Sequence, residues 1–375
     1  MVGGGLAGCA CALALADSGQ KVSLFEATDR LGGRVASVRP PDLEHPIDNC
    51  AHAAFRVYDR FLQLVARIGG QEGLRIQPRT VMSFLDPHDE TIHRIMDSPR
   101  FTPPFHLMPS LLSFKPLKVK ERMGLRKAVK ALRKSDPRDS QLDSKDFQSW
   151  LEDHDQSATT IERFWAPFVL AALNVPPAQA SAGLAIFLFQ RGLFSSRSAF
   201  DAITFSSDLS DVLHPRLQTA LGKAGVDCHL GSPVRNIERI KEGFSLSSRD
   251  SVHEVDAIVM AVEVRHARRM LDHLSQEESV VELQEELSRL ETSSLIGIHA
   301  RHPSPLLPEG IPYLVIMDEP LIQMVIDRTG EQGLPGEFWF SVPVSYADRW
   351  DDTNDEEIEA AYRQILSKRL PSTWS

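Results

Sequence analysis

The sequence predicts an α/β fold in which a first domain of alternating strands and helices is interrupted by an inserted α+β domain. Three observations carry this prediction. A G-x-G-x-x-G turn at Gly3, Gly5 and Gly8 precedes an apolar helix, a short strand follows it and ends on an acid, and an apolar run at residues 255–262 returns late in the chain. Glycines at this spacing let backbone N–H groups approach a pyrophosphate at the helix N-terminus. The order of these elements predicts a Rossmann-like domain that binds a dinucleotide.

The elements around the glycine turn follow this pattern, although only two residues stand in front of the turn as a first strand. Residues 6–16 are small or apolar with no helix breaker, and a Ser-Gly pair follows them as a stop signal. Residues 21–26 alternate as a strand. Its last residue, Glu26, lies eighteen residues after Gly8, near where a carboxylate accepts hydrogen bonds from the adenosine ribose.

A second glycine pair follows in the run LGGR at residues 31–34. Arg34 supplies a charge-assisted donor for a phosphate. The alternative is an ordinary strand-to-helix turn, but the turn, the helix, the acid and this run in order favour nucleotide binding. The candidate dinucleotide contacts are Gly3, Gly5, Gly8, Glu26, Gly32, Gly33 and Arg34.

Helical and strand-like apolar spacing predicts the remaining elements. In order these are a helix at 57–68, strands within 80–97, helices within 146–173 and 178–193, a helix at 209–224, a strand at 232–237, a strand at 255–262, a helix at 278–290, strands within 311–326 and 337–344, and a helix over 358–370. The run 255–262 is apolar without alternation, which suits a strand buried on both faces of a parallel sheet. We therefore assign residues 1–75 and 205–265 to the dinucleotide-binding domain, and residues 76–204 and 266–375 to the second domain.

Composition narrows the function classes. The net charge of −10 argues against nucleic-acid binding. The four cysteines form no C-x-x-C and no metal-ligand pattern with nearby histidines, so we expect no metal site and buried thiols in a reducing compartment. No run approaches the roughly 20 apolar residues of a membrane span. We expect a cytoplasmic protein.

Basic residues are concentrated in residues 100–138, which carry eleven Lys and Arg against two acids, a balance of +9 against −19 in the remainder. Leucines, valines and methionines are interleaved with them. A basic amphipathic surface attracts anionic lipid and buries its apolar side at the headgroup boundary. Residues 105–134 are therefore a candidate peripheral contact with the inner face of the cytoplasmic membrane, and a solvated helix packing its apolar side inward is the alternative.

The glycine turn, Glu26, LGGR and the returning run DAIVMAV together resemble the amine oxidase and phytoene desaturase superfamily of FAD enzymes. Three segments are similar to one branch, the squalene-associated desaturases, now called hydroxysqualene dehydroxylases. These segments are Asp48-Asn49 followed by His52, FHLMPSLLSF at residues 105–114, and IERFWAPFVLAALNVPP at residues 161–177. The last segment is the most specific to the branch.

The resemblance implies an FAD-dependent oxidoreductase that reduces the isoprenoid alcohol hydroxysqualene to squalene, a precursor of hopanoids and sterols. It also implies a backbone contact between Val234 and the adenine. Such a substrate needs an apolar channel with few polar groups, and phenylalanine supplies bulk without a hydroxyl. The candidate substrate-binding residues are Trp165, Phe168, Asn174 and Phe187, for which core packing or, for the asparagine, a turn position is the alternative.

Two polar residues in the first segment of the dinucleotide-binding domain are candidate catalytic groups. The imidazole of His52 can donate a proton near neutral pH, and Asn49 can bind the alcohol. A capping or core histidine and a turn asparagine are the alternatives.

The sequence departs from the branch in places. Members usually begin with several more residues and continue to a Gly-Asp motif along the flavin, so we expect a chain trimmed at both ends. Cys50 and Ala51 stand where the branch commonly has glycine and glutamine. A carotenoid-type desaturase, which introduces double bonds, and a non-catalytic remnant that binds nucleotide or lipid remain the alternatives, and an amine oxidase fits less well.

Overall fold

The computed structural model describes residues 1–41, 43, 46–51, 53–249, 251–274, 278–329 and 338–370. The chain divides into two compact units, each discontinuous in sequence. The first comprises Met1–Asn49, Arg60–Leu74 and Phe205–Thr292, and the second comprises Cys50–Asp59, Arg75–Thr204 and Ser293–Ser375. The helix Asp59–Arg67 and the short strands Leu74–Ile76 and Ala202–Phe205 lie where the chain passes from one unit to the other.

The first unit is built around a short parallel pair of strands. Ser23–Phe25 pairs with Asp227–His229, in the register that sets Leu24 opposite Cys228. The helices Leu6–Asp17 and Leu209–Lys223 pack beside them. Their shared core contains small and branched side chains, namely Cys9, Ala12, Leu13, Leu24, Val65, Leu213, Leu217 and Leu221.

An antiparallel sheet completes the first unit. Its strands are Val234–Arg239, Phe244–Ser248 and Ser251–Val255, in that order. The other elements of this unit are the two-residue strands Ser37–Val38 and Ile47–Asp48, the 3₁₀ turns Gln71–Gly73 and Asp272–Leu274, and the helices Val264–Leu271 and Glu278–Ser288. The helix Val264–Leu271 contacts the strand Val234–Arg239, and Leu271 shares a core cluster with Ile237. This packing places residues 266–292 in the first unit, whereas the sequence analysis assigned them to the second domain.

The apolar run at residues 255–262 does not form the doubly buried strand that we expected. Val255 ends the strand Ser251–Val255 and pairs with Phe244. Beyond it, the described residues give the run one bridge, a parallel bridge between Val2 and Met260, held by hydrogen bonds on either side of Val2. Val259 is 40% exposed. A strand needs a hydrogen-bonded neighbour along its length to stay extended, and here the neighbour supplies a single residue.

A six-stranded sheet organises the second unit. Its strand order is Leu295–His302, Phe338–Ser345, Met324–Asp327, Tyr313–Ile316, Val81–Asp86 and Thr91–Met96. All neighbours are antiparallel except Tyr313–Ile316 with Val81–Asp86, where Val315 lies opposite Phe84. The predicted strands within residues 80–97 are confirmed, and they pair as a hairpin with Val81 opposite Met96.

Alternation along these strands separates two apolar clusters, because successive side chains point to opposite faces. Phe84 and Val315 join the cluster of the helical layer. Leu85 and Leu314 join the other cluster, which includes Tyr362 of the helix Asp355–Arg369. The remaining helical elements of this unit are Phe105–Leu107, Met108–Ser113, Val119–Lys134, Ser140–Asp143, Phe147–Asp153, Ala158–Thr160, Ile161–Trp165, Ala166–Leu173, Ala182–Phe194 and Asp348–Trp350.

Candidate active site

The glycine turn fits only glycine at two of its positions. Gly3 has a φ of +102°, and a Cβ there would lie 2.4 Å from the carbonyl oxygen of Ala261. A Cβ on Gly8 would lie 1.9 Å from the carbonyl oxygen of Gly3. The helix Leu6–Asp17 begins directly after Gly5, with no side-chain cap from the described residues and no acid in its first turn. Its first N–H groups are therefore available to an anion.

Glu26 lies beside this turn. The residue is buried, and its Oε2 accepts a hydrogen bond of 2.7 Å from the N–H of Gly4. Its Oε1 accepts from the N–H and the hydroxyl of Thr28. Because an ionised carboxylate offers about four acceptor positions, Glu26 can also accept from a ribose hydroxyl.

The run LGGR contacts the same turn. Gly32 forms a bridge with Gly5, and a Cβ on Gly33 would lie 3.0 Å from the Cα of Gly5. Arg34 is 86% exposed, and its guanidinium lies 4.0 Å from Glu263. An exposed pair at this distance is weak, so the guanidinium is available for a phosphate.

These residues fit a flavin adenine dinucleotide. The helix N-terminus of Leu6–Asp17 suits the pyrophosphate, and Glu26 suits the ribose. Val234, at the start of the strand Val234–Arg239, is buried in the core cluster that contains Val2 and Phe25. These contacts bring Gly3, Gly5, Gly8, Glu26, Gly32 and Gly33 together. Arg34 and Val234 belong to the same unit.

Of the two candidate catalytic residues, only Asn49 lies in the described part of the chain, and it is not part of a defined site. Asn49 is exposed, and its backbone N–H donates to the carbonyl oxygen of Ala36. His52 lies outside the described residues.

The second unit contains a cavity of about 530 Å³. Most of its lining comes from residues 50–58, 162–171, 202–204 and 312–328, which are far apart in sequence. The wall is mostly apolar, and its charged residues are Glu162, Asp318, Glu319 and Arg328. Tyr58 also lines the cavity and is 40% exposed. Partial burial raises the pKa of its hydroxyl, so this hydroxyl keeps its proton and can donate a hydrogen bond.

Residues 161–177 form one wall of this cavity with one face of a helix. Ile161–Trp165 is a π-helical turn that continues into the α-helix Ala166–Leu173, and we call the two together the cavity helix. Glu162, Ala166 and Leu170 line the cavity at successive steps of four residues. The opposite face is buried, with Ile161, Trp165 and Val169 among its residues. Pro167 and Ala171 also line the cavity, and with Ala166 they leave room because their side chains are small.

The four candidate substrate-binding residues do not line this cavity. Trp165 is fully buried among aromatic rings, and its indole N–H donates to Gln156 at 3.2 Å. Phe168 packs against the same core, and Phe187 is 53% exposed. The cavity is lined by the other face of the cavity helix, whereas the aromatic side chains of residues 161–177 pack into the apolar core.

Asn174 ends the cavity helix in a left-handed conformation with a φ of 59°. Its side-chain amide donates to the hydroxyl of Ser293 at 2.8 Å and to the carbonyl oxygen of Ser294 at 3.1 Å. Its side-chain oxygen accepts from the N–H of Tyr346. These bonds use both ends of the amide, so Asn174 ties the helix end to the neighbouring loops instead of facing the cavity.

Arg163 anchors the cavity helix to the sheet. Its guanidinium contacts Asp86 at 3.1 Å and Asp318 at 2.6 Å, and all three side chains are less than one-fifth exposed. His88 lies 3.3 Å from the same oxygen of Asp318. Asp86, His88 and Asp318 are close enough to hold a cation, but the guanidinium already supplies the positive charge there.

Sequence reasoning missed the cavity-lining residues Tyr58, Glu162, Ala166, Pro167, Leu170 and Ala171. The spacing of Glu162, Ala166 and Leu170 is a signal that was available, because one polar and two apolar residues recur on a single helix face.

The fold and the glycine turn define a flavin-dependent oxidoreductase. The chain matches the family of flavin containing amine oxidoreductases over residues 6–374, and it belongs to that family. The predicted fold class and FAD as the cofactor are thereby confirmed. The resemblance to the superfamily is confirmed at this level, whereas its hydroxysqualene dehydroxylase branch stays a prediction.

Curated relatives are distant. A 15-cis-phytoene desaturase of Synechococcus elongatus is 22% identical over 391 residues, covering 100% of this chain and 80% of the relative. A probable zeta-carotene desaturase of the same organism is 24% identical over 297 residues, covering 72% of this chain and 59% of the relative.

Solved structures share the fold. An oxidoreductase from Methanosarcina mazei matches with a TM-score of 0.75 and 16% identity, covering 99% of this chain and 84% of the other. A triple mutant of putrescine oxidase matches with a TM-score of 0.72 and 17% identity, covering 99% of this chain and 81% of the other.

Proposed function

We propose that the chain is an FAD-dependent oxidoreductase that reduces hydroxysqualene to squalene. The observation that carries this proposal is the mostly apolar cavity of about 530 Å³, one wall of which is the segment that resembles the hydroxysqualene dehydroxylases. Pockets of about 300–1,000 Å³ are typical of small-molecule sites. The names of the curated relatives, desaturases of phytoene and zeta-carotene, support a long isoprenoid as the substrate.

The proposed reaction replaces a C–O bond by a C–H bond. It consumes one hydride and one proton, and the hydroxyl leaves as water. FAD, when bound in its reduced form, supplies the hydride. The cavity wall holds the hydrocarbon chain and excludes water, and the protonated hydroxyl of Tyr58 can donate to the departing oxygen.

Product analysis tests the proposal. The purified chain is incubated with FAD, reduced with dithionite under anaerobic conditions, and supplied with hydroxysqualene. We expect squalene by gas chromatography with mass spectrometry, and no squalene from the heat-denatured protein. Phytoene supplied with oxidised FAD and a quinone acceptor tests the second candidate, a desaturase, which the curated relatives favour. If phytoene gains conjugated double bonds and hydroxysqualene yields no squalene, the desaturase replaces our proposal. If the protein takes up no FAD, it is a non-catalytic remnant.

We also propose that residues 105–134 contact a membrane containing anionic lipid. The helix Val119–Lys134 buries Leu125, Ala128 and Leu132, as the packing alternative expected. The same helix exposes Val119 and Met123, and the two helical elements before it expose Phe105 and Leu112. Each of these four apolar residues is between 46% and 67% exposed. Exposed apolar side chains beside lysines and arginines suit the boundary of an anionic bilayer. In the described part of the chain, no helix is long and apolar enough to cross a bilayer.

Vesicle co-sedimentation tests this contact. We expect binding to phosphatidylcholine vesicles that contain phosphatidylglycerol, and loss of most binding when Lys115, Lys120, Lys130 and Lys134 are replaced by Glu. A control replaces the exposed Arg265, Arg268 and Arg269 by Glu, which removes basic charge from a helix of the other unit. Equal loss in both variants, or binding that does not depend on anionic lipid, contradicts the proposal.

A further inference from the structure

The charged residues that line the cavity differ in how they are satisfied. Asp318 is paired with Arg163 and His88. Glu319 is 5% exposed at its side chain and pairs with Arg369 at 3.1 Å. Arg328 also has an interaction partner. Three of the four charges are therefore already committed within the protein.

Glu162 is the exception. It lines the cavity, is exposed to solvent, and makes no hydrogen bond or ion pair with any residue in the described part of the chain. The arginine next to it, Arg163, cannot neutralise it because both ends of that guanidinium are used by Asp86 and Asp318. Glu162 belongs to the π-helical turn, and such turns are frequent at functional sites.

An unpaired carboxylate on a mostly apolar wall discriminates between ligands that can and cannot donate a hydrogen bond to it. A hydrocarbon that fills the cavity removes water from Glu162 and offers nothing in return, which is costly for a charged group. A ligand with a hydroxyl replaces the lost water with a charge-assisted hydrogen bond. Sites built to bond a hydroxyl reject the analogue that lacks it for this reason.

We propose that the carboxylate of Glu162 accepts a hydrogen bond from the hydroxyl of the isoprenoid alcohol and thereby selects the alcohol over the hydrocarbon of the same length. This inference rests on the proposed function, since a dehydroxylase must bind hydroxysqualene and release squalene. Glu162 is then the residue that distinguishes hydroxysqualene from squalene, and it also disfavours a carotene in the same cavity. A protonated amine can also donate a charge-assisted hydrogen bond to a carboxylate, so the experiment includes an amine as well as the alcohol.

The experiment measures the dissociation constants of hydroxysqualene, squalene and a squalenyl amine in detergent micelles, without turnover. The proteins are the wild type with FAD added, Glu162→Gln, Glu162→Leu, and the control Glu152→Leu, which removes an exposed carboxylate outside the cavity lining. Circular dichroism and flavin absorbance establish that each variant is folded and binds FAD.

We expect the wild type to bind hydroxysqualene about 10- to 100-fold more tightly than squalene, the range for one hydrogen bond to a charged group. Glu162→Leu should bring the ratio near one, Glu162→Gln should keep part of it, and Glu152→Leu should leave it unchanged. A wild-type ratio near one, or an unchanged ratio in Glu162→Leu, overturns the proposal. Tighter binding of the amine than of the alcohol, lost in Glu162→Leu, also overturns it and assigns Glu162 to an ammonium ligand.

The same proteins separate this inference from the proposed function. Conversion of hydroxysqualene to squalene with an unchanged ratio in Glu162→Leu refutes the role of Glu162 alone. A ratio that depends on Glu162 without any conversion refutes the reaction and retains the site for an isoprenoid alcohol.

Discussion

Replacing Arg163 by methionine should destabilise the second unit more than any exposed charge replacement. The substitution keeps a side chain of similar length but removes the positive charge between Asp86 and Asp318, which are 7% and 17% exposed at their side chains. Breaking a buried ion pair from one side costs about 3–5 kcal/mol because the remaining charge is left unpaired. Since all three side chains retain some exposure, we expect a loss of about 3 kcal/mol in the free energy of unfolding.

Urea unfolding followed by circular dichroism measures this loss. The matched control is Arg191→Met, whose partner Asp59 is 56% exposed, and which should cost no more than about 1 kcal/mol. In the double variant Arg163→Met with Asp318→Asn, one of the two unpaired carboxylates is gone, and we expect part of the stability to return. A loss in Arg163→Met no larger than in the control would refute the assignment of Arg163 as an anchor.

Three further predictions concern other parts of the molecule. Gly8→Ala should lose FAD binding, measured by flavin absorbance, because the new Cβ would lie 1.9 Å from the carbonyl oxygen of Gly3. The control Gly222→Ala should bind FAD normally, because no atom lies within 4 Å of its new Cβ. Burial holds the pKa of His106 below its ordinary value of 6.5, so below that pH the unfolded chain takes up a proton that the folded chain does not. The free energy of unfolding should therefore fall as the pH drops below about 6.5, and His106→Gln should flatten this part of the urea-derived pH profile. Asn174→Ala should cost about 2–4 kcal/mol by thermal or urea unfolding, from lost hydrogen bonds and an unfavourable positive φ, and Asn174→Gly should cost less because glycine accepts that φ.

The nucleotide-binding part was predictable because its steric demands leave a trace in the sequence. Positions such as Gly3 and Gly8 accept no other residue, and the acid at the end of the next strand must lie at a nearly fixed distance along the chain. A reader of the sequence can therefore locate Glu26 beside the turn, where the structure has its carboxylate bonded to Gly4.

The cavity was not predictable in the same way. Its lining comes from segments as far apart in sequence as residues 58 and 162, and apart from the helical spacing of Glu162, Ala166 and Leu170 these positions carry no distinctive signal. The aromatic residues attracted the prediction because their size suggests a binding role. In the structure, Trp165 contributes that size to the core, where large aromatic side chains bury most area.

The run at residues 255–262 shows a different limit. Apolar composition predicts burial only when another element is present to cover it, and that depends on how much strand lies alongside. After Val255, one bridge to Val2 is what the described structure provides, so composition overestimates both the length and the burial of the strand.

The two faces of the cavity helix leave the protein free to change its ligand without changing its fold. Replacing Ala166 or Ala171 by a larger residue would shorten the part of the cavity that a bound hydrocarbon can fill, while Trp165 and Val169 keep their neighbours in the core. Related sequences that handle isoprenoids of different length should accordingly differ at the first pair of positions and agree in size at the second. Comparing residue volumes at these four positions across such sequences would test whether the cavity positions vary with ligand length while the core positions keep their size.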